Sequence, residues 1–170
     1  MSCSRRRLLA GAAALVLSGC GFQPLYGGGS GRGAPGPAVA GMAETRIALI
    51  ADRSGQILRN HLLDQMNPTG SPARPRYELR VGLVERRDNI GLAIDDSATY
   101  ARLTLSASFA LVELEGGQPT FTGTSRWTSG FTVVSSHFAN IASEADARGR
   151  AVREIGDDIR QQLALFFARG

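Results

Sequence analysis

From Ala101 to Leu111 the chain alternates without a break. Ala101, Leu103, Leu105, Ala107, Phe109 and Leu111 hold the odd positions, and Arg102, Thr104, Ser106 and Ser108 the even ones. Successive side chains of a strand point to opposite faces, so this is one long strand with an apolar side and a polar side. A chain built around it has to bury the odd face and leave the even face to water or to a polar partner.

The neighbours follow the same rule. Tyr77, Leu79, Val81 and Leu83 alternate with Glu78, Arg80 and Gly82, a second strand, while Glu85 to Gly91 reads as a polar turn. Glu115-Gly116-Gly117-Gln118-Pro119 is a hairpin loop. A strand from Thr120 to Val134 carries Phe121, Trp127, Phe131 and Val133 at odd positions and Thr120, Thr122, Thr124, Arg126 and Thr128 at even ones. Earlier, Ile47 to Ile50 is a short strand. After it, Asp52 or Ser54 is placed to cap a helix on which Ile57, Leu58, Leu62, Leu63 and Met66 share a face. Asn67-Pro68 ends that helix, and Thr69 to Pro75 is a loop.

The cover for the apolar face is the last segment. Phe138, Ile141, Ala145, Gly149, Val152, Ile155, Ile159, Leu163 and Phe166 recur at helical spacing. Gly149 and Gly156 mark either a close approach to the sheet or a kink. A break before Ser143, with Asp146 three residues on, is a second way to arrange the segment. The expected fold is an α/β (α+β) two-layer sandwich of order β-α-β-β-β-α. It has a four-stranded mixed, mostly antiparallel sheet and two helices on one face.

The front of the chain has a different logic. Arg5, Arg6 and Arg7 precede an apolar run, Leu8 to Leu17, that is well short of the ~20 residues a spanning helix needs. Leu17, Ser18, Gly19 and Cys20 then form a bacterial lipobox. The expected organisation is a lipoprotein signal peptide at 1–19, an acylated N-terminus with a Gly/Pro-rich linker at 20–42, and a single domain at 43–170. Cys20 is the expected lipid attachment point, carrying an N-acyl chain and an S-diacylglycerol, because several acyl chains anchor firmly where one does not. General secretion and twin-arginine export both fit Ser4 to Leu9.

Processing removes Cys3 and consumes Cys20, so the mature domain has no thiol for a disulfide, a nucleophile or a metal. The net charge of +4 also falls, since loss of three arginines leaves sixteen basic against fifteen acidic residues. That balance gives no support to nucleic-acid binding. His61 and His137 stand apart, and no motif for phosphate binding, metalloprotease or serine-hydrolase chemistry is present. Asp95-Asp96 and Asp157-Asp158 read first as solvated charge. No enzyme activity, metal or cofactor is expected. Arg86, Arg87, Arg102 and Arg126 are candidates to contact phosphate groups, against the plainer reading of a solvated sheet surface.

Cys20-Gly21-Phe22-Gln23-Pro24-Leu25-Tyr26, with Tyr77 to Val81, Ala98 to Leu103 and Phe138 to Ala164, resembles the LPS-assembly lipoprotein LptE family in its alphaproteobacterial form. The resemblance implies two helices against four strands and a periplasmic-side, lipid-anchored place at the outer membrane. It implies a 1:1 complex in which the chain plugs the lumen of an LptD-like β-barrel and assists delivery of lipopolysaccharide to the outer leaflet. Gly21 fits release to the outer membrane, and the four arginines become candidate lipopolysaccharide contacts. An auxiliary lipoprotein of another ABC-type lipid-transport system, or a periplasmic adaptor without a lipid substrate, shares the anchor and linker.

Overall fold

The computed structural model describes residues 36–92 and 98–169. The elements are α1 (Pro37–Ala43), β1 (Thr45–Ile47), α2 (Asp52–Met66), β2 (Tyr77–Leu92), β3 (Ala98–Glu113), β4 (Pro119–Thr132) and α3 (His137–Arg169). The sheet order is β1-β2-β3-β4. β1 lies parallel to β2, and β2, β3 and β4 form the expected antiparallel meander.

The expected β-α-β-β-β-α order with two helices is wrong: among the described residues the order is α-β-α-β-β-β-α, with three helices. The extra helix, α1, lies largely within the stretch read as linker. Pro37 starts it, where its missing N–H costs nothing. Ala38 and Met42, four residues apart, are buried in the main core. Gly41 is pressed against the Phe167 ring, and Thr45 Oγ1 donates to the Gly41 carbonyl at 2.8 Å. Seven residues containing Pro and Gly carry no legible helical period. Docking on α3 makes this helix, and propensity does not.

Three further expectations change. Glu85 to Gly91 is not a turn, because β2 runs through it, Glu85 opposite Leu105 and Asn89 opposite Ala101. The long β3 supplies the ladder that satisfies this polar backbone. Neither Asp52 nor Ser54 caps α2. Asp52 has φ +66, a left-handed conformation that Asp tolerates better than most residues, and Ser54 Oγ donates instead to Glu85 Oε2 at 2.9 Å. Trp127 shares the helix side of β4 with Phe131 but stays 42% exposed, while Ser125 and Ser129 are buried there.

α3 is one continuous helix with no break at Ser143. Asn140 fastens its start, accepting from the Val134 N–H at 2.8 Å and donating to the Val134 carbonyl at 2.7 Å. Its buried stripe is Ala147, Ala151, Val152, Ile155, Ile159, Leu163 and Phe167. Phe138 and Ile141, expected on that stripe, project past the core at 82% and 56% exposure. Beneath the stripe, Leu103, Leu105 and Leu111 are fully buried, each contributing about 1.5–3 kcal/mol. An aromatic run, Phe109, Phe121, Phe166, Phe167 and Tyr77, closes the C-terminal end of the core with ring centroids 5.1–6.0 Å apart.

Gly156 is a close approach, but to α2 and not to the sheet. A Cβ there would sit 2.5 Å from His61 Cδ2 and 3.4 Å from Leu58 Cδ1. Gly149 faces only the Arg153 guanidinium at 3.5 Å. We expect Gly156→Val to push α2 from α3 and to lower the unfolding free energy by about 2 kcal/mol, whereas Gly149→Ala leaves it unchanged or raises it. Urea denaturation of both variants is the measurement.

Candidate functional site

Residues paired across a ladder share a face, so the register sorts the four candidate arginines. Arg86 lies opposite Thr104, Arg102 opposite Asp88 and Gly130, and Arg126 opposite Ser106. All three stand on the even face, which no described helix covers. Arg87 lies opposite Leu103, on the helix side. Its guanidinium sits 5.7 Å from the Phe131 ring centroid, and its Nε is 3.6 Å from Glu144 Oε2. The structure therefore places three of the four on one face, on three different strands, and packs Arg87 against Phe131 and Glu144 on the other.

Between its arginines the open face carries many short hydroxyl side chains. Arg126 Nε donates to Ser106 Oγ at 3.2 Å, the Thr104 and Thr128 hydroxyls are 3.3 Å apart, and Arg86 Nε donates to Asp88 at 3.0 and 3.2 Å. A trough of about 960 Å³ crosses this face from Ala48 and Leu49 to Thr122 and Thr124 of β4. Gly82, Ser108 and Ala110 floor it, and Leu49 stands at its rim 88% exposed. A smaller recess of about 440 Å³ continues past Val84 and Ser106 toward Arg126.

Glu78 stands at the head of the trough between two guanidiniums, with Arg46 Nη2 at 2.6 Å and Arg80 Nε at 2.8 Å. The hydrogen bond from Arg80 holds the Glu78 carboxyl below the ordinary carboxylate range. Burial opposes this, and Arg46 adds to the depression. Two cations on one anion leave a positive excess at that end.

On the helix side, where the apolar core gives out, a second polar cluster ties three elements together. Arg148 of α3 grips Glu85 of β2 with contacts of 2.7–3.1 Å, donates to Glu144 at 2.8 Å, and shares Glu85 with Ser54 of α2. Bidentate geometry of this kind is among the stronger forms of ion pair. Between α2 and α3, Gln65 Nε2 donates to Asp157 Oδ1 at 2.6 Å, and His61 Nε2 lies 3.1 Å from the same oxygen. His61 is thus a helix-boundary residue, and Asp157 does more than face water. Neither cluster was visible in the sequence, because pairs 63 or 92 residues apart leave no local pattern.

Among the described residues no group of three or more His, Cys, Asp or Glu could hold a metal, and no helix is long and apolar enough to cross a membrane. Cys20, the rest of the lipobox and Asp95-Asp96 lie outside the described residues.

No known family profile and no curated protein sequence matches the chain. Solved structures do. A protein from Caulobacter crescentus named as a lipoprotein superposes with TM-score 0.63 at 21% identity, over 77% of this chain and 96% of that one. A minor lipoprotein from Acinetobacter baumannii gives 0.58 at 16%, over 72% and 92%. The rare lipoprotein B from Shewanella oneidensis gives 0.56 at 12%, over 72% and 94%. At such identities the likeness is one of fold. These three proteins carry lipoprotein names and no enzyme name.

The Glu85 cluster has a pH signature. The hydrogen bond from Arg148 holds the Glu85 carboxyl below its ordinary value of 4.5, helped by Ser54 against burial. A depressed carboxylate stabilises the fold above its unfolded pKa, and that stabilisation is lost as pH falls through the folded one. Glu85→Gln should cost about 1 kcal/mol at neutral pH, a difference that shrinks below about pH 4.5. Thermal melts across pH 3 to 7 read both.

Proposed function

We propose that this chain is a non-enzymatic, lipid-anchored outer-membrane protein of the LptE kind, which plugs the lumen of an LptD-like β-barrel and assists insertion of lipopolysaccharide into the outer leaflet. One observation carries the reading: a sheet face made mostly of Thr, Ser, Gly and Arg, with Val84 and Tyr100 among them, is left uncovered by the described helices, although the opposite face is buried. A water-filled barrel interior is polar, and a face dominated by hydroxyls and guanidiniums, with few apolar side chains, is the kind of surface that can lie against it.

Two further facts support the reading. The lipobox ending in Cys20 supplies the anchor, and the fold is one that proteins named as lipoproteins adopt. Arg86, Arg102 and Arg126 share the open face and remain the candidate contacts for lipopolysaccharide phosphates. Arg87 is the weaker candidate, since its guanidinium is engaged by Phe131 and Glu144.

Affinity purification from detergent-solubilised membranes should recover a large outer-membrane barrel in about 1:1 ratio. Recovery of an inner-membrane permease, or of no barrel, would sink the proposal and favour an auxiliary transport lipoprotein or an adaptor. Mass spectrometry of the mature N-terminus should show triacylated Cys20, and Cys20→Ala should abolish acylation while leaving the melting temperature of the domain unchanged. An unmodified Cys20 in the wild-type protein would refute the anchor.

A further inference from the structure

The sheet has an unfinished edge. β1 pairs with β2 only from Thr45 opposite Tyr77 to Ile47 opposite Leu79, and one further bond, Ala48 N–H to the Leu79 carbonyl at 3.0 Å, ends the pairing. β2 continues to Leu92. Its even residues face β3, as the bond from the Leu114 N–H to the Arg76 carbonyl shows for that register. Backbone groups of an antiparallel pair alternate, so the N–H and C=O of Val81, Leu83, Glu85 and Arg87 point outward. Among the described residues no hydrogen bond reaches them from that side.

Natural edges are usually guarded by charged side chains, Pro or a bulge. Glu85, Arg86 and Arg87 put charge at the far end of this one, where Glu85 is drawn to the helix side by Ser54 and Arg148, and Val81 to Val84 carry none. Here the irregularity comes only at Asn89–Gly91, beyond the open stretch, and no Pro interrupts it. The trough begins at this same edge. Ala48, Leu49, Val81 and Gly82 all line it, so its near end is the slot that β1 vacates when the chain turns away after Ala48.

We propose that the β2 edge from Val81 to Arg87 takes up an extended segment of the barrel partner as an added strand, in line with β1, with one of its side chains lying in the trough over Gly82. The proposal rests on the function put forward above and names the contact that function would use. Main-chain hydrogen bonds supply the affinity in such additions, and the pocket for alternate side chains supplies the selectivity. Arg46 and Arg80 share the single carboxylate of Glu78 at the head of the slot, which fits a segment bearing an acidic residue there and a neutral or apolar one over Gly82.

Strand addition predicts a period of two in backbone protection. Amide hydrogen exchange, resolved to single residues, is to be compared for the mature chain alone and in the complex purified from detergent. The amides of Val81, Leu83 and Glu85 should slow at least tenfold in the complex, while Gly82, Val84 and Arg86, already bonded to β3, stay slow in both. Co-purification of the barrel without this alternation overturns the inference and leaves the proposed function standing. Protection already present in the chain alone overturns it too, pointing to the chain's own segment if independent of concentration and to a second copy if it rises with concentration. Gly82→Phe fills the trough from the open face and leaves the apolar core untouched. It should cut recovery of the barrel at least tenfold with little change in melting temperature, and undiminished recovery by the folded variant overturns the inference.

Discussion

Much of this fold hangs on the contact of α3 with the odd faces of β3 and β4. Ala147, Ala151, Val152, Ile155, Ile159 and Leu163 lie against a floor that includes Leu103, Leu105 and Leu111, and all of these are wholly buried. The small residues let the helix come close, and the large ones fill the space beneath it. α1 and α2 are both placed by reference to α3, through Gly41 against Phe167 and Leu58 and His61 against Gly156.

Among the described residues the helices lie on one side of the sheet and leave the other side open. Its open face has hydroxyls and guanidiniums that satisfy one another across strands without forming a core. The sandwich is also shorter than its strands. Where the apolar cover ends, Glu85, Arg148, Glu144 and Arg87 take over from hydrophobic packing, and Phe138 and Ile141 reach beyond the core. The polar half of β2, which resembles a turn in composition, is held as a strand because β3 needs a partner along its full length.

The legible parts were those with a period. β3, β4 and the core of β2 were readable from alternation, and α3 from its stripe. The four-stranded mixed sheet was legible with them, but the number and order of the helices were not. Less legible was anything decided by contact. α1 escaped notice because its seven residues look like linker until Phe167 is placed above Gly41. Of the candidate arginines, parity alone separates Arg87 from Arg86, Arg102 and Arg126, but only once β2 is known to extend past Glu85 in register with β3. Read as a turn, that segment had no face.

By itself the sequence determined which side of β3, β4 and the first half of β2 is buried, and that a helical stripe near the C-terminus covers it. These are local properties of composition and period, and they need no partner to be read. Only the tertiary structure decided that, among the described residues, the β2 edge is left unpaired beyond Leu79, that a trough crosses the open face, and that Glu78 stands between two guanidiniums. Each depends on where separate segments stop relative to one another, and no local pattern encodes the point at which β1 leaves β2.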